Sequence, residues 1–238
     1  MTLIGVPHWE EGKVYIVDGY GRWIASQIVD KVKYKDLKVQ LILNAPTDPQ
    51  ERLIFEAELY AFQNRDVKML TAIQKHGSMM ILHDPATMKL EELKEKYGFE
   101  YVTSKGNRDA SVLGSYTDTL ALCKIDDGVC AEYVFDICVG AGFDRKPNGY
   151  SRYVMRALKD IYKLYAHSRY TTKKYLIEQL RKTTPLFLKA NAVSKYPLLE
   201  SATAVSLYIE DMVVEDLGLE QCREAVGNKT ILISKKTA

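Results

Sequence analysis

The sequence predicts an α+β protein, in which a small α/β unit is followed by a mostly α-helical region. The first 65 residues alternate short β-type runs with helical patterns, whereas from Asp66 onward the apolar residues recur mainly with the period of a helix. The stretch Gly140–Pro147, with two glycines, one proline and mixed charge, is the best candidate for a hinge. We therefore expect an α/β domain over residues 1–65 and a helical domain over residues 66–238, with a candidate hinge at 140–148.

Local patterns predict each element of the α/β unit. Lys13–Val17 has the composition of a strand, a helix follows over Arg22–Val29, and Asp36–Asn44 is a second strand with alternating aliphatic residues. Asp48-Pro49-Gln50-Glu51 is typical of a helix start, because the Asp side chain caps the first turn and Pro is tolerated at its first position. That helix should end near Asn64.

The remaining elements are predicted from helical periodicity and from glycines that mark turns or helix ends. Short strands are expected at Phe99–Thr103 and at Thr230–Ser234. The predicted helices are Val67–His76, Met88–Tyr97, Ser111–Lys124, Cys130–Val139, Tyr150–His167, Thr172–Lys182 and Ser201–Val214.

Composition narrows the class of protein. The chain has 238 residues and a formal net charge of +2, which is too small to identify a partner by itself. It shows neither a secretory signal pattern nor an apolar run of the ~20 residues that cross a bilayer, so we expect a cytoplasmic protein with no membrane partner. The four cysteines lack the spacing of a zinc site, and we expect reduced, mostly buried thiols and no metal centre.

The most informative stretch is the turn after the first predicted strand, where Asp18-Gly19-Tyr20-Gly21-Arg22 leads into a helix. Two glycines allow a tight turn and close approach of a ligand to the backbone. Free N–H groups at a helix N-terminus favour anions, and the planar guanidinium of Arg22 suits phosphate or carboxylate oxygens. A phosphate pocket and an ordinary glycine-rich turn with a solvated arginine are both open at this point.

The residues Asp18–Ala25 resemble the D-G-x-x-R-x-x-A signature of the ParB/sulfiredoxin superfamily. Gln63-Asn64-Arg65-Asp66-Val67 is similar to the family's third motif, and the likeness is greatest to ParB-like proteins of phages and plasmids, in which a compact nucleotide-type domain precedes a helical tail. The resemblance implies a sulfiredoxin-like fold that binds a nucleoside triphosphate, CTP or ATP, with Mg²⁺. It assigns nucleotide or phosphate binding to Asp18, Gly19, Gly21, Arg22, Asn64 and Arg65.

A second feature is the basic stripe on the helix predicted over Tyr150–His167. Its cations recur every three or four residues and therefore share one helix face, opposite an apolar stripe. Segregated positive charge suits the phosphate backbone of nucleic acid, and the tyrosines nearby offer rings for stacking on bases. An acidic protein partner and simple solvation of the charges are the alternatives. Nucleic-acid binding is assigned to Arg152, Arg156, Lys159, Lys163, Lys173 and Lys174.

Three functions are open from the sequence. The first is a nucleotide-binding, DNA-associated protein of a phage or mobile element, and we favour it. The second is an enzyme on the same scaffold, a small-molecule kinase or nucleotide hydrolase, for which the sequence offers no convincing general base beyond Asp18. The third is a protein-interaction factor, for example an inhibitor of a host defence nuclease.

Overall fold

The computed structural model describes residues 2–63, 73, 75–101 and 109–233. It confirms the α+β class with a helical C-terminal region. The contacts within the chain divide it into two compact units, Met1–Asp84 and Pro85–Ala238, which we call the first and second unit. This division lies later in the chain than the boundary expected at residue 65.

A three-stranded sheet organises the first unit. Its central strand is β1 (Thr2–His8), which runs antiparallel to β2 (Lys13–Asp18) and parallel to β3 (Lys38–Leu41). Local patterns miss β1, because its pairing partners lie later in the chain and its Gly and Pro argue against a central strand. Pro7 is tolerated since it lies beyond the four residues of β1 that pair with β3.

Two of the three described helices of the first unit contact this small sheet, and the third packs on the longest of them. Asp48 caps the longest of them as predicted, because its carboxylate accepts hydrogen bonds from the backbone N–H groups of Gln50 at 2.9 Å and Glu51 at 3.0 Å. The helix predicted over Val67–His76 falls almost entirely outside the described residues. The described helices are α1 (Tyr20–Val29), α2 (Pro49–Gln63) and α3 (His76–Ile81).

The second unit is mainly helical. Its two small sheets are a parallel pair, β4 with β5, and an antiparallel hairpin, β6 with β7. None of the helices in the described parts of the chain has the length and apolar character needed to cross a membrane. In chain order its elements are α4 (Pro85–Tyr97), β4 (Glu100–Tyr101), β5 (Val112–Leu113), α5 (Tyr116–Cys123), α6 (Val129–Gly140), α7 (Arg152–Leu164), α8 (Arg169–Arg181), α9 (Pro185–Lys195), α10 (Ser201–Leu217), β6 (Arg223–Val226) and β7 (Lys229–Leu232).

Three elements of the second unit differ from the expectation. The helix predicted over Ser111–Lys124 is wrong in its first turn, where the chain forms β5 before α5 begins. Ser115 caps α5, because its hydroxyl oxygen accepts a hydrogen bond from the N–H of Asp118. Helix α9 and strand β6 are not predicted by periodicity. The start of α9 nevertheless carries a local signal, since Thr184 caps it and Pro185 stands at its first position.

The core of the second unit forms around α6. Six residues of this helix have no exposed surface, among them Phe135, whose ring stacks on Phe99 at a centroid distance of 4.9 Å. Tyr150 adds a third ring, 5.2 Å from Phe135. Three of the four cysteines lie in this core, whereas Cys222 is partly exposed.

The candidate hinge at 140–148 lies inside the second unit. Ala141 and Phe143 of this segment are buried in the core. The backbone is so tightly packed that a Cβ on Gly149 would lie 1.8 Å from the carbonyl oxygen of Phe143. Glycine is therefore required at Gly149 by the close approach of another part of the backbone.

Candidate nucleic-acid interface

The turn singled out by the sequence is formed as a strand-to-helix turn. Asp18 ends β2, and Gly19 adopts a left-handed conformation with φ of 91° before α1 begins. The guanidinium of Arg22 donates a hydrogen bond of 2.8 Å to the carboxylate of Asp18, one helical turn away. The side chains of this ion pair are about half exposed, with 48 % of Arg22 and 45 % of Asp18 accessible to solvent.

This ion pair occupies the place where a phosphate was expected. A Cβ on Gly19 would lie 3.0 Å from a guanidinium nitrogen of Arg22 and 2.7 Å from a methyl carbon of Leu3. Among the described residues of the turn, Arg22 therefore lies over the backbone of Gly19 and is paired with Asp18, so a phosphate at this place would compete with that carboxylate. Gly21 faces open space, and the remaining residues assigned to this site, Asn64 and Arg65, lie outside the described residues.

Helix α1 also shows an exposed apolar face. Trp23, Ile24 and Ile28 lie within one stripe of the helix, and 79 % of Ile28 is accessible to solvent. Ser26 alone among the residues of α1 is buried. Contiguous exposed apolar side chains of this kind are typical of surfaces that contact another protein.

Helix α7 confirms the amphipathic pattern predicted from the sequence. Its apolar stripe lies in the core, with Val154, Leu158 and Ile161 completely buried. Its basic stripe lies on the outer face, where Arg152 and Lys163 are exposed. A strongly amphipathic helix is therefore what positions the cations.

Two arginines of the stripe share one carboxylate. Asp118 of α5 accepts a hydrogen bond of 2.8 Å from Nε of Arg156 and lies 3.3 Å from Nε of Arg152. Burial by itself raises the pKa of Asp118, but hydrogen bonds from Ser115 and Arg156 outweigh it and hold that pKa below its ordinary value. Asp118 is therefore ionised and keeps both guanidinium groups in fixed positions.

The other predicted cations differ in how they are paired. Lys173 forms an ion pair with Asp136, and Nζ of Lys159 lies 3.9 Å from Asp160, at the limit of an ion pair. Within residues 85–101 and 109–233, Lys163 and Lys174 form no ion pair, and both are exposed. The six predicted cations thus do not form a single patch of free charge.

Two adjoining cavities concentrate cations beside α7. The smaller has a volume of about 180 Å³ and the larger about 310 Å³, and Ala202 in the first turn of α10 lines both. Three basic side chains line the smaller cavity and two line the larger, against one acidic residue in each. We call the two cavities together the α7–α10 groove. Its basic lining residues are Arg152, Arg156, Lys159, Lys189 and Arg223.

The first turn of α10 adds donors to this groove. The N–H groups in the first turn of a helix have no partner within the helix, and the helix dipole makes that end positive. Glu200 precedes α10 without capping it through its side chain. Thr203 and Thr230, whose side chains carry hydroxyl groups, also line the smaller cavity. The groove therefore combines lysine and threonine donors with the positive charge of its arginines, which suits the oxygens of an anion.

Arg223 is the deepest of these cations. Its Nε donates to Glu210 at 2.6 Å, one terminal nitrogen donates to Asp160 at 3.0 Å, and the other donates to Ser206 at 2.8 Å. Glu210 is completely buried and also accepts from the backbone N–H groups of Cys222 and Arg223. This network fixes the β6–β7 hairpin against α7 and α10, so Arg223 belongs to the wall of the groove.

Sequence reasoning misses two of the five basic residues in the groove. Lys189 lies on α9, and Nζ of Lys189 is 5.5 Å from the ring centroid of Tyr153 on α7. Arg223 lies on β6, far along the chain from the stripe. The Thr184-Pro185 start signal could have revealed α9, but no local pattern shows that either residue faces α7.

A cluster near the turn between β1 and β2 has the residue types of a metal site. Side-chain atoms of His8, Glu10 and Glu11 lie within 4.8 Å of one another. Each of the three side chains already has a partner. His8 contacts Glu56 at 2.6 Å, and Glu10 forms an ion pair with Arg52. Glu11 accepts hydrogen bonds from Lys13 and Tyr15. These contacts account for the cluster as a set of ion pairs and hydrogen bonds.

No protein-family model matches this chain, and neither curated proteins nor solved structures show a similarity to it. The resemblance of Asp18–Ala25 to the ParB/sulfiredoxin superfamily therefore stays a prediction from the motif.

Proposed function

We propose that this protein binds nucleic acid through the phosphate backbone, which contacts the α7–α10 groove of the second unit. The observation that carries the proposal is the concentration of five basic residues around two adjoining cavities. A DNA-associated, ParB-like protein of a phage or mobile element is the biological setting that the sequence motif suggests.

The charge at the groove supports a phosphate ligand more than a neutral one. The lining contains Asp160 and Glu200 as its acidic residues, so its formal charge is positive even though the whole chain carries only +2. An excess of positive charge in a cleft raises the local concentration of anionic ligands, and here Asp118 and Glu210 behind the arginines offset part of that excess. Lys159 and Lys189 are the least constrained of these cations, because carboxylates hold the arginines closely, whereas Nζ of Lys159 lies 3.9 Å from Asp160 and Lys189 contacts only the ring of Tyr153.

Fluorescence anisotropy with labelled single-stranded and duplex DNA tests the proposal at low and high salt. Affinity should fall as salt rises, because phosphate contacts release counterions. Reversal of both lysines, Lys159→Glu with Lys189→Glu, should weaken binding about tenfold or more, since each reversal replaces attraction by repulsion. Arg156 is left intact in this variant, because it also binds Asp118 and supports the fold.

A matched control is Lys124→Glu. Lys124 is an exposed lysine of the second unit that does not line the groove. Its reversal should change affinity by less than about twofold, as expected of an exposed, screened charge outside the groove. Failure of the wild-type protein to bind either form of DNA at low salt would refute the proposal, and so would equal losses in the control and the groove variant.

A protein partner is the second candidate function, and the apolar face of α1 favours it. Capture experiments with host lysate, before and after nuclease treatment, should retain a protein that the Ile28→Glu variant loses. Lys159→Glu with Lys189→Glu should leave that capture unchanged. If Ile28→Glu captures the same proteins as the wild type, the α1 face is not the contact surface.

A further inference from the structure

The two cavities of the α7–α10 groove differ in chemistry. The smaller one is polar, since Arg156, Lys159 and Arg223 line it together with Asp160, Thr203 and Thr230. Lysine and threonine side chains can donate hydrogen bonds to a phosphate group, and the two arginines, although paired with carboxylates, add positive charge to the wall. The smaller cavity therefore suits a single phosphate.

The larger cavity combines apolar surface with a few polar groups. Leu186 and Tyr153 supply apolar surface, whereas Asn148, Lys189 and Glu200 supply donors and acceptors at its edge. Its volume of about 310 Å³ is at the lower end for a small-molecule pocket. A nucleobase has the matching chemistry, because its faces are apolar and its edges carry donors and acceptors.

The two cavities adjoin, and this sets the form of nucleic acid that can fill both. Ala202 lines each of them, so a group bound in one is next to a group bound in the other. A base inside a duplex is stacked and paired and cannot enter a side pocket unless it is first extruded. Bases of a single strand are free to leave the stack and to contact protein side chains.

We propose that the α7–α10 groove selects single-stranded nucleic acid, with a backbone phosphate in the smaller cavity and the neighbouring base in the larger one. This inference rests on the proposed function, because it names the ligand class of the same site. Leu186 and Tyr153 contact the base, and Lys159 contacts the phosphate.

Three labelled oligonucleotides separate the contribution of the base from that of the phosphate backbone. The first is a single strand, the second is the same backbone without bases, and the third is a duplex of the same sequence, all measured at one salt concentration by fluorescence anisotropy. The single strand should bind about tenfold more tightly than the base-free strand, since stacking of one base contributes about that much. It should also bind more tightly than the duplex.

Leu186→Ala tests the base contact without changing charge. Leu186 is 57 % exposed, so its truncation should leave the fold intact, which thermal unfolding checks. The variant should lose most of the preference for the single strand over the base-free strand. Leu232→Ala is the matched control, because Leu232 is 69 % exposed and lines neither cavity.

The outcomes distinguish this inference from the proposed function. Equal affinity for the single strand, the base-free strand and the duplex would overturn single-strand selection and leave phosphate binding standing. Tighter binding of the duplex would overturn it as well. Absence of binding to all three would remove both proposals.

Discussion

Glu210 and Arg223 form a buried ion pair that joins α10 to β6. The carboxylate has no exposed surface, and it accepts a hydrogen bond of 2.6 Å from Nε of Arg223. Asp160 and Ser206 accept from the two terminal nitrogens, so the three hydrogen-bonding nitrogens of the guanidinium are all paired. Burial of such a group is tolerated only because every partner is present.

Removal of one partner should therefore be strongly destabilising. Arg223→Met leaves the Glu210 carboxylate buried without its cation, and we expect a loss of about 3–5 kcal/mol in the free energy of unfolding. Urea denaturation measures it. Lys195→Met is the control, because Lys195 pairs with Asp211 from a half-exposed position and its removal should cost about 1 kcal/mol or less. Comparable losses in both variants would contradict the role assigned to Arg223.

Neutralisation of Asp118 should strengthen nucleic-acid binding. Asp118→Asn removes the carboxylate that holds Arg152 and Arg156 and leaves both positive charges without compensation at the groove. We expect a severalfold gain in affinity and a steeper dependence on salt, since more phosphates can be neutralised. Anisotropy titrations at several salt concentrations measure both. A weaker complex would mean that positioning by Asp118 matters more than the charge it cancels.

Stability should decrease in acid because of carboxylates such as Asp118 and Asp136. Burial acts against ionisation of both, yet hydrogen bonds outweigh it and lower their pKa values in the folded protein. A lowered folded pKa stabilises the protein above the unfolded pKa of about 4, and this contribution is lost as the pH falls through the folded pKa. Urea midpoints should change little from about pH 7 to pH 5 and fall below about pH 4. A midpoint that rises on acidification would contradict this assignment.

Gly149→Ala should destabilise the second unit. The added Cβ would overlap the carbonyl oxygen of Phe143, which is backbone and cannot turn away. We expect a loss of several kcal/mol, because the backbone of a core segment would have to move. Gly77→Ala is the control, since its Cβ meets no atom within 4 Å and alanine favours a helix. Thermal unfolding distinguishes the two variants. A Gly149→Ala variant that melts like the wild type would show that the backbone here can move to accommodate a Cβ atom.

The nucleotide binding that the Asp18–Ala25 motif predicts would require release of Arg22 from Asp18. Asp18→Asn should increase the affinity for CTP or ATP with Mg²⁺ by up to about fivefold, because an exposed ion pair is worth about 1 kcal/mol or less. Arg22→Ala should remove binding. Titration calorimetry measures both variants. A loss of binding in Asp18→Asn would instead mean that the carboxylate itself takes part in binding the nucleotide or its Mg²⁺.

Local features of the fold are predictable from the sequence, and long-range pairings are not. Helix α7 is predicted because both of its stripes are visible in one short segment. The capture of Arg156 by Asp118 is not, since 38 residues separate the partners. The same limit explains β1, whose neighbours lie later in the chain.

The candidate site shows the same difference between local contacts, which are predictable, and long-range packing, which is not. The ion pair between Asp18 and Arg22 is local, with the spacing of one helical turn, so it could have been foreseen as a competitor for the expected phosphate. The α7–α10 groove could not, because Lys189 and Arg223 reach it only through the packing of α9 and the β6–β7 hairpin. Tertiary packing therefore decides which cations share a surface.

The shared carboxylate of Asp118 has one more consequence. The pairing restricts the side chains of Arg152 and Arg156 before any anion arrives, and it restricts Arg156 more, since Arg152 is about half exposed. An arginine side chain that is already restricted gives up less entropy on association. Asp118 therefore has two opposite effects on an anion, because it cancels positive charge and also orients the guanidinium groups that remain.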